Sequence, residues 1–306
     1  MNPTFRQLKI FESVARLLSY TKAAKELYLS QPAVSMQIKL LEEQTTLPLL
    51  ERIGKKFYLT TAGEEVYRYA RNTISQKKDI EETIEQLKDL QTGHLNIAVA
   101  STANHFVIRL LAAFEKLYPK IRISLDVTNR SALLKQLDNN ERDLVIMGQP
   151  PHDSQLQSIH FLDNPLVVIA APKHPLSLKT TQISLNKLSK ERFIVREEGS
   201  GTRIASEKFF KDHQIPFNTT MDMSNNRAIK HAVEEGLGLA IVSLHTLEIE
   251  LRAQSLRVLN IKDFPIMRKW YLVESKNKRL SPIAKEFKSF LLQQAEHAME
   301  KLVIEN

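Results

Sequence analysis

"YTKAAKELYLSQPAVSMQIKLLEE" occupies Tyr20 to Glu43 and reads as two short helices with almost nothing between them. Thr21 is a good N-cap, and Ala23, Ala24 and Leu27 follow at small or apolar helical positions. The connection through Tyr28, Leu29 and Ser30 has the length a helix-turn-helix uses. Ser30 is placed to cap the second helix, and Pro32 falls in its first turn, where a missing N–H costs nothing. Val34, Ile38 and Leu41 recur at i, i+4 and i+7, forming one buried stripe. Gln31, Ser35 and Lys39 recur at i, i+4 and i+8 on another face. Their side chains suit phosphates and base edges in a major groove, and Ala33 and Met36 add apolar contact for thymine methyl groups.

The flanks extend this pattern. Leu8, Phe11, Ala15 and Leu18 line one face of an earlier helix whose core packs behind the pair. After it comes "LPLLERIGKKFYLT", with a turn at Gly54 and a short β-run. Arg52, Lys55 and Lys56 surround that turn, as in a wing lying over a phosphate backbone. An ordinary three-helix bundle with a solvated polar face shares the same spacing. The wing and the charge weigh against it: residues 1–60 hold nine Lys/Arg against five Glu, half of the chain's net +8 in about a fifth of its length.

A chain of 306 residues usually forms two or three domains, and 42% hydrophobic with 25% charged residues is a globular balance. With no cysteine, disulfides and Cys-based zinc sites are excluded. The start "MNPTFRQLKIF" lacks the apolar segment of a signal peptide, and no run of about 18 apolar residues exists. No membrane partner and a cytoplasmic location are therefore expected.

Between Glu64 and Thr92 there is neither Pro nor Gly, and Thr61 with Glu64 reads as a capping box. A helix there would run about 40 Å. Val66, Thr73, Ile80 and Leu87 recur every seven residues beside Tyr69 and Leu90. So narrow a stripe fits a coiled-coil-like dimer contact, with a solvated connector as the alternative. A dimer would set two recognition helices about one DNA turn apart.

From about His94 one pattern occurs twice. "LNIAVAST", "ISLDVTNR" and "RDLVIMG" are strands with helices between them, and "RFIVREEGSGT", "TTMDMSNNR" and "LGLAIVS" repeat the arrangement. Asn129-Arg130 and Asn226-Arg227 match at an offset of 97 residues. Each copy should form a parallel α/β sheet, and two such lobes enclose a cleft at the carboxyl ends of their strands. Crossings between lobes are expected near Asp163–Pro165 and Phe264–Met267, with the last stretch returning to the first lobe as a strand and a helix. The loops Ser101-Thr102 and Gly199-Ser200-Gly201-Thr202-Arg203 put hydroxyls and free N–H groups at helix N-termini, where an anion is favoured. Simple capping is the competing account of either loop alone.

These residues resemble the LysR-type transcriptional regulators over nearly the whole chain. "FRQLKIFESVA", "TKAAKELYLSQPAVSMQIKLLEE", "LPLLERIGKKFYLTTAG" and "GLGLAIVS" carry the likeness, which is highly specific in combination. Within the family, "DLVIMGQPP", "NPLVVIAAPKHPL", "REEGSGTR" and "AIKHAVEEGLGLAIVSLHT" look most like the RuBisCO (Calvin cycle) operon regulators. The resemblance implies an α+β multidomain chain. A winged helix-turn-helix would span 1–60, a linker and dimerisation helix 61–91, and a two-lobed α/β effector domain, like a periplasmic binding protein, 92–306. Its first lobe would hold 92–164 and 267–306, its second 165–266. The DNA-contacting set becomes Thr21, Gln31, Pro32, Ala33, Ser35, Gln37, Lys39, Arg52, Lys55 and Lys56. The effector set becomes Ser101, Thr102, Asn129, Gly148, Ser200, Gly201, Thr202 and Arg203. The implied partners are double-stranded promoter DNA, RNA polymerase, a second copy of the chain in a dimer of dimers, and a small anionic effector, a phosphorylated metabolite or NADPH.

Two other classes compete. A solute-binding protein explains two lobes but not residues 1–90. An enzyme needs a catalytic constellation. The chain has no G-x-S-x-G, P-loop, H-E-x-x-H or G-x-G-x-x-G, and His105, His174, His213, His231 and His245 lack ligand-like spacing. No catalytic residue, metal ligand or resident cofactor is therefore expected.

Overall fold

A computed structural model describes residues 2–54, 56–88 and 93–303. The chain divides into two compact units, one built on residues 1–88 and the other on residues 89–138 and 142–306.

The first unit runs α1 (Phe5–Leu17), α2 (Tyr20–Glu26), α3 (Gln31–Thr45), β1 (Leu50–Ile53), β2 (Lys56–Leu59) and α4 (Thr61–Lys88). Thr4 and Gln7 form a reciprocal capping box at the start of α1. Helix α2 begins two residues earlier than its sequence indicates. Ser19 is the cap, accepting from the Lys22 N–H at 3.3 Å, so Thr21 lies exposed inside the first turn. Tyr28 closes the turn before α3 in the left-handed region, at φ 55°, where glycine is usual. Leu18 takes the same conformation at the end of α1 and is 42% exposed, so it leaves the buried face it was expected to share.

Phe11, Val14, Ala23, Val34, Ile38, Leu41 and Leu49 meet in one core. Burial of each large side chain there stabilises by roughly 1.5–3 kcal/mol. Val66 joins that core, so the expected dimer seam loses its first member to the unit's own packing. Tyr69, Ile80 and Ile84 stay about half exposed along α4. The side chain of Leu87, and Leu90 altogether, lie outside the described residues. The cap of α4 is Thr60, not Thr61: its hydroxyl accepts from the Gly63 N–H at 3.0 Å. Gly63 is dictated by space, because a Cβ there would stand 2.0 Å from the Leu49 carbonyl oxygen.

In the second unit come β3 (Gly93–Ala100), α5 (Asn104–Leu117), β4 (Ile121–Thr128), α6 (Arg130–Asp138), β5 (Leu144–Met147) and the long β6 (Leu156–Ala170). Then follow β7 (Phe193–Arg196), α7 (Gly201–Asp212), β8 (Thr219–Met223), α8 (Asn226–Glu234), β9 (Leu239–Ser243), α9 (Glu248–Arg252) and β10 (Arg257–Val258). The last elements are β11 (Ile266–Ser275) and α10 (Pro282–Val303).

Strands β3, β4 and β5 are mutually parallel, and so are β7, β8 and β9. Neither lobe is wholly parallel, however. The two crossing strands pair antiparallel with each other from Ile266↔Leu166 to Ser275↔Leu156, and each also adds an antiparallel neighbour to a lobe, β11 beside β5 and β6 beside β9. A chain that leaves the first lobe and returns to it must run both ways through the crossing. The two sheets therefore join as one path, β4-β3-β5-β11-β6-β9-β7-β8. Each lobe packs apolar side chains on both sheet faces, around Phe114, Trp270 and Phe287 or Leu133 and Val145 in the first, and around Phe193 and Phe210 or Ile229 and Val242 in the second.

The repeat is real but one residue out of the sequence match. Asn129 caps α6 by accepting from Ala132, and its counterpart is Asn225, which caps α8 by accepting from Ala228. Arg130 thus corresponds to Asn226. Among the described residues no helix is long and apolar enough to cross a membrane.

Candidate functional site

The first candidate surface is on α3. Ser30 accepts from the Ala33 N–H at 3.3 Å with Pro32 in the first turn, so the helix start needs no outside partner. Val34, Ile38 and Leu41 are buried, which turns Gln31, Pro32, Ser35, Met36 and Lys39 to solvent, while Ala33 and Gln37 are partly buried. In the β1–β2 hairpin the Arg52 Nε donates to the Gly54 carbonyl at 3.1 Å, and its guanidinium stands 5.8 Å from the Phe57 ring centroid. Phe57 meets Tyr20 edge-on at 5.2 Å, tying the wing to α2. Lys56 is exposed, and Lys55 lies outside the described residues.

The second candidate site is the cleft between the lobes of the second unit. Ser101, Thr102, Asn129, Gly148, Ser200, Gly201 and Thr202 all line one inner cavity. Arg203 does not: its Nε pairs with Glu207 at 2.7 Å and its Nη1 donates to the Arg196 carbonyl at 3.3 Å. The cavity is small, about 30 Å³, room for little more than one water. The lobes approach closely beside it. Gly199 has φ +80°, and a Cβ there would stand 2.5 Å from the Ser131 hydroxyl.

The capping account of the loops can be checked directly. At α5 the N-cap position is Ala103 and no side chain caps the helix; at α7 it is Ser200, buried, yet its hydroxyl makes no capping bond. The first N–H groups of both helices thus remain available at the cleft, while α6 and α8 are capped by asparagines.

Other lining residues escaped the sequence reading, among them Arg130, Asn164, Arg196, Arg268 and Trp270. Arg196 is neutralised by Glu197, at 2.7 and 2.9 Å, and donates to Asn226 at 3.0 Å. Arg268 donates from Nη1 to the Gly201 carbonyl at 2.8 Å. Burial, and then the nearby charge of Arg130, push its guanidinium below the ordinary arginine range. Arg130 donates to the Gln149 carbonyl at 3.3 Å. Among the described residues no carboxylate pairs with either arginine. Asn164 Oδ1 and Trp270 Nε1 are buried with no partner, leaving an acceptor and a donor unused in the cavity wall. The "REEGSGTR" motif signalled Arg196, and Asn129-Arg130 signalled Arg130. Arg268 sits in no motif, and only strand pairing reveals it.

Residues 5–64 match the bacterial regulatory helix-turn-helix of the lysR family, and residues 88–296 match the LysR substrate binding domain. The chain belongs to the LysR family of transcriptional regulators. Its likeness to regulators of carbon-fixation operons is also close. A RuBisCO operon transcriptional regulator of Allochromatium vinosum is 50% identical, over 96% of this chain and 97% of that protein. The HTH-type transcriptional activator CmpR of Synechocystis is 44% identical over 95% of each. The Synechocystis PCC6803 CcmR regulatory domain, solved in complex with 2-PG, is 41% identical with a TM-score of 0.63, covering 65% of this chain and 96% of that one. This LysR-type regulator is therefore related to proteins that control transcription, and it is not an enzyme. Among its described residues no group of His, Asp and Glu could hold a metal ion.

Proposed function

We propose that this LysR-type regulator binds a promoter dyad through α3 and the wing, and responds to a small anion held between the lobes of its second unit. On the DNA side, Gln31, Ser35, Gln37 and Lys39 contact base edges and phosphates, and Pro32 and Ala33 supply apolar contact. Arg52, Lys55 and Lys56 hold the backbone, with Thr21 at the edge of the footprint. Self-association runs along α4, whose Tyr69, Ile80 and Ile84 lack cover within their own unit, and gives a dimer of dimers. The working boundaries are 1–60, 61–91 and 92–306.

The observation that carries the effector reading is the uncapped start of α7, whose Gly201 and Thr202 open on a cavity that Ser101 and Thr102 line from the other lobe and whose wall holds Arg130 and Arg268. Free N–H groups and unneutralised guanidinium charge select an anion. The 2-PG complex of the CcmR domain supports a phosphorylated metabolite over NADPH. Because the cavity now holds about 30 Å³, such a ligand must part the lobes on entry. That displacement couples binding to the DNA-bound arrangement, and a few kcal/mol of differential affinity is enough. The relatives' names favour carbon-fixation genes as the target and activation as the outcome, with RNA polymerase as a further partner in the cytoplasm.

The test is a mobility shift on the DNA upstream of the regulator's own gene and of any divergent operon. Salt-sensitive binding at a dyad is expected. Gln37→Ala and Ser35→Ala should each weaken it by about 1–3 kcal/mol with folding intact. Binding unmoved by either variant would remove α3 as the reading helix.

A further inference from the structure

We infer that the lobes of the second unit pivot on one side only: an ion pair between Arg109 and Glu248 clasps α5 to α9, so a ligand entering the cleft parts the lobes on the opposite side, between α6 and α7. Arg109 and Glu248 are positioning residues, which set the lobe angle without lining the inner cavity. The inference rests on the proposed parting of the lobes and goes beyond it in saying where they part and what resists.

Arg109 lies in the second turn of α5, in the first lobe. Its Nη2 reaches the Glu248 carboxylate at the start of α9, in the second lobe, at 2.7 Å. The mount behind Glu248 is rigid. Lys230 of α8 is buried, donates to the Thr246 carbonyl at 2.7 Å and meets Glu250 of α9 at 2.6 Å. A buried ion pair cannot part without leaving a charge unmatched, so α8 and α9 move as one body. His245 Nε2 donates to the Asp163 carbonyl at 2.9 Å, which ties the turn before α9 to the crossing strand β6. A pull on α5 is therefore passed through Glu248 to the body of the second lobe. His105, one turn earlier on α5, stands among the same charges. Burial, and then Lys230, hold its imidazole below the usual range, so it is uncharged at neutral pH and does not compete with Arg109 for Glu248.

The other side of the cleft is held differently. Among the described residues no ion pair joins α6 to the second lobe, and Asn129, which caps α6, donates to Glu197 only at 3.4 Å. A bond stretched so far yields before a charged one at 2.7 Å. Arg268 bonds the Gly201 carbonyl at 2.8 Å, but it stands on β11 at the crossing itself, where a rotation of the lobes displaces it least. A chamber of about 660 Å³ already opens on this side, with Arg130 and Gln149 from the first lobe facing Ile204 and Lys208 from the second. The clasp is modest in strength. Arg109 is about half exposed, so water screens the pair, and it favours the clasped arrangement by about two- to fivefold.

Spin labels can read both sides, because the chain has no cysteine of its own. Ala112→Cys with Ile249→Cys spans α5 and α9, and Lys135→Cys with Lys208→Cys spans α6 and α7; all four positions are exposed. Full-length chain carrying one labelled pair is diluted into unlabelled chain, so that double electron–electron resonance reports distances within one copy. Inorganic phosphate should lengthen the α6–α7 distance and leave the α5–α9 distance unchanged. Without ligand, Arg109→Gln and Glu248→Gln should each broaden the α5–α9 distances, with the clasped fraction falling about two- to fivefold against the unclasped. The double variant should go no further than either single, because all three lose the same bond. Salt at about 1 M should bring the wild type toward the variants. Unchanged α5–α9 distances in both single variants, or effects that add in the double, overturn the clasp. Phosphate that lengthens both distances alike overturns the pivot. Phosphate that moves neither distance, while the variants behave as expected, removes the proposed parting of the lobes and leaves the clasp standing.

Discussion

The two units treat their helix starts in opposite ways. In the N-terminal unit Thr4, Ser19, Ser30 and Thr60 close the starts of α1, α2, α3 and α4 with side-chain hydrogen bonds. In the effector unit α6 and α8 are closed likewise, but α5 and α7, at the cleft, are not. On the function proposed above, the satisfied scaffold would read DNA with side chains projecting from α3, and the unsatisfied one would keep its backbone N–H groups, beside unneutralised arginines, for a small anion.

The largest expected effect tests how rigid the satisfied scaffold is. Gly63 sits where a Cβ would be 2.0 Å from the Leu49 carbonyl oxygen, and backbone cannot swing aside as a side-chain tip can. Gly63→Ala should cost about 3 kcal/mol and abolish DNA binding, while anion binding by the effector unit survives. Thermal unfolding followed by circular dichroism, with calorimetry on the same sample, reads both. A variant that melts like the wild type would mean that α4 enters the unit with more slack than its packing implies.

A paired substitution of the same residue type sharpens the comparison at intermediate size. Ser30 makes a capping bond and Ser200 makes none, though both precede a helix. Ser30→Ala should lower stability by about 1 kcal/mol. Ser200→Ala should change stability by less than about 0.5 kcal/mol yet weaken anion binding. Equal stability losses from the two would show that the Ser200 hydroxyl caps α7 after all.

How much of this was legible in the sequence depends on where the information lies. The recognition helix was readable because Ser30, Pro32, Val34, Ile38 and Leu41 act within one helix, through spacing and capping alone. The lobes were readable from the repeat. Cap positions slipped by one or two residues at Ser19 and Thr60, because Ser-Tyr-Thr and Thr-Thr each offer two chemically adequate caps and tertiary packing chooses between them. The repeat slipped at Asn129 because Asn225-Asn226 likewise presents two candidates. Arg268 was invisible for a different reason. Its role arises from pairing β11 beside β5, which brings it to Gly148, more than a hundred residues away, and no local pattern records a partner so remote. Arg203 was over-read because its loop faces the cleft while its own side chain turns along α7 to Glu207.

The smallest effect distinguishes the two units by pH. In the N-terminal unit the Arg16 guanidinium, 2.5 Å away, holds the Glu26 carboxyl below its ordinary range; slight burial opposes this, and the Ser13 hydroxyl adds a bond at 2.9 Å. A carboxyl whose folded value lies below its unfolded one stabilises fully above the unfolded range, and the contribution fades as pH falls through the folded value. Both partners are about two-fifths exposed, so water screens the pair and the gain is only about 0.5 kcal/mol. Glu26→Gln should therefore unfold slightly earlier in urea at neutral pH and become indistinguishable from the wild type in acid. A difference that persisted in acid would assign the loss to the Ser13 hydrogen bond instead of the charge. Arg130 and Arg268 at the cleft pair with no carboxylate among the described residues, so the same acidification should leave their charge intact while the N-terminal unit loses this contact.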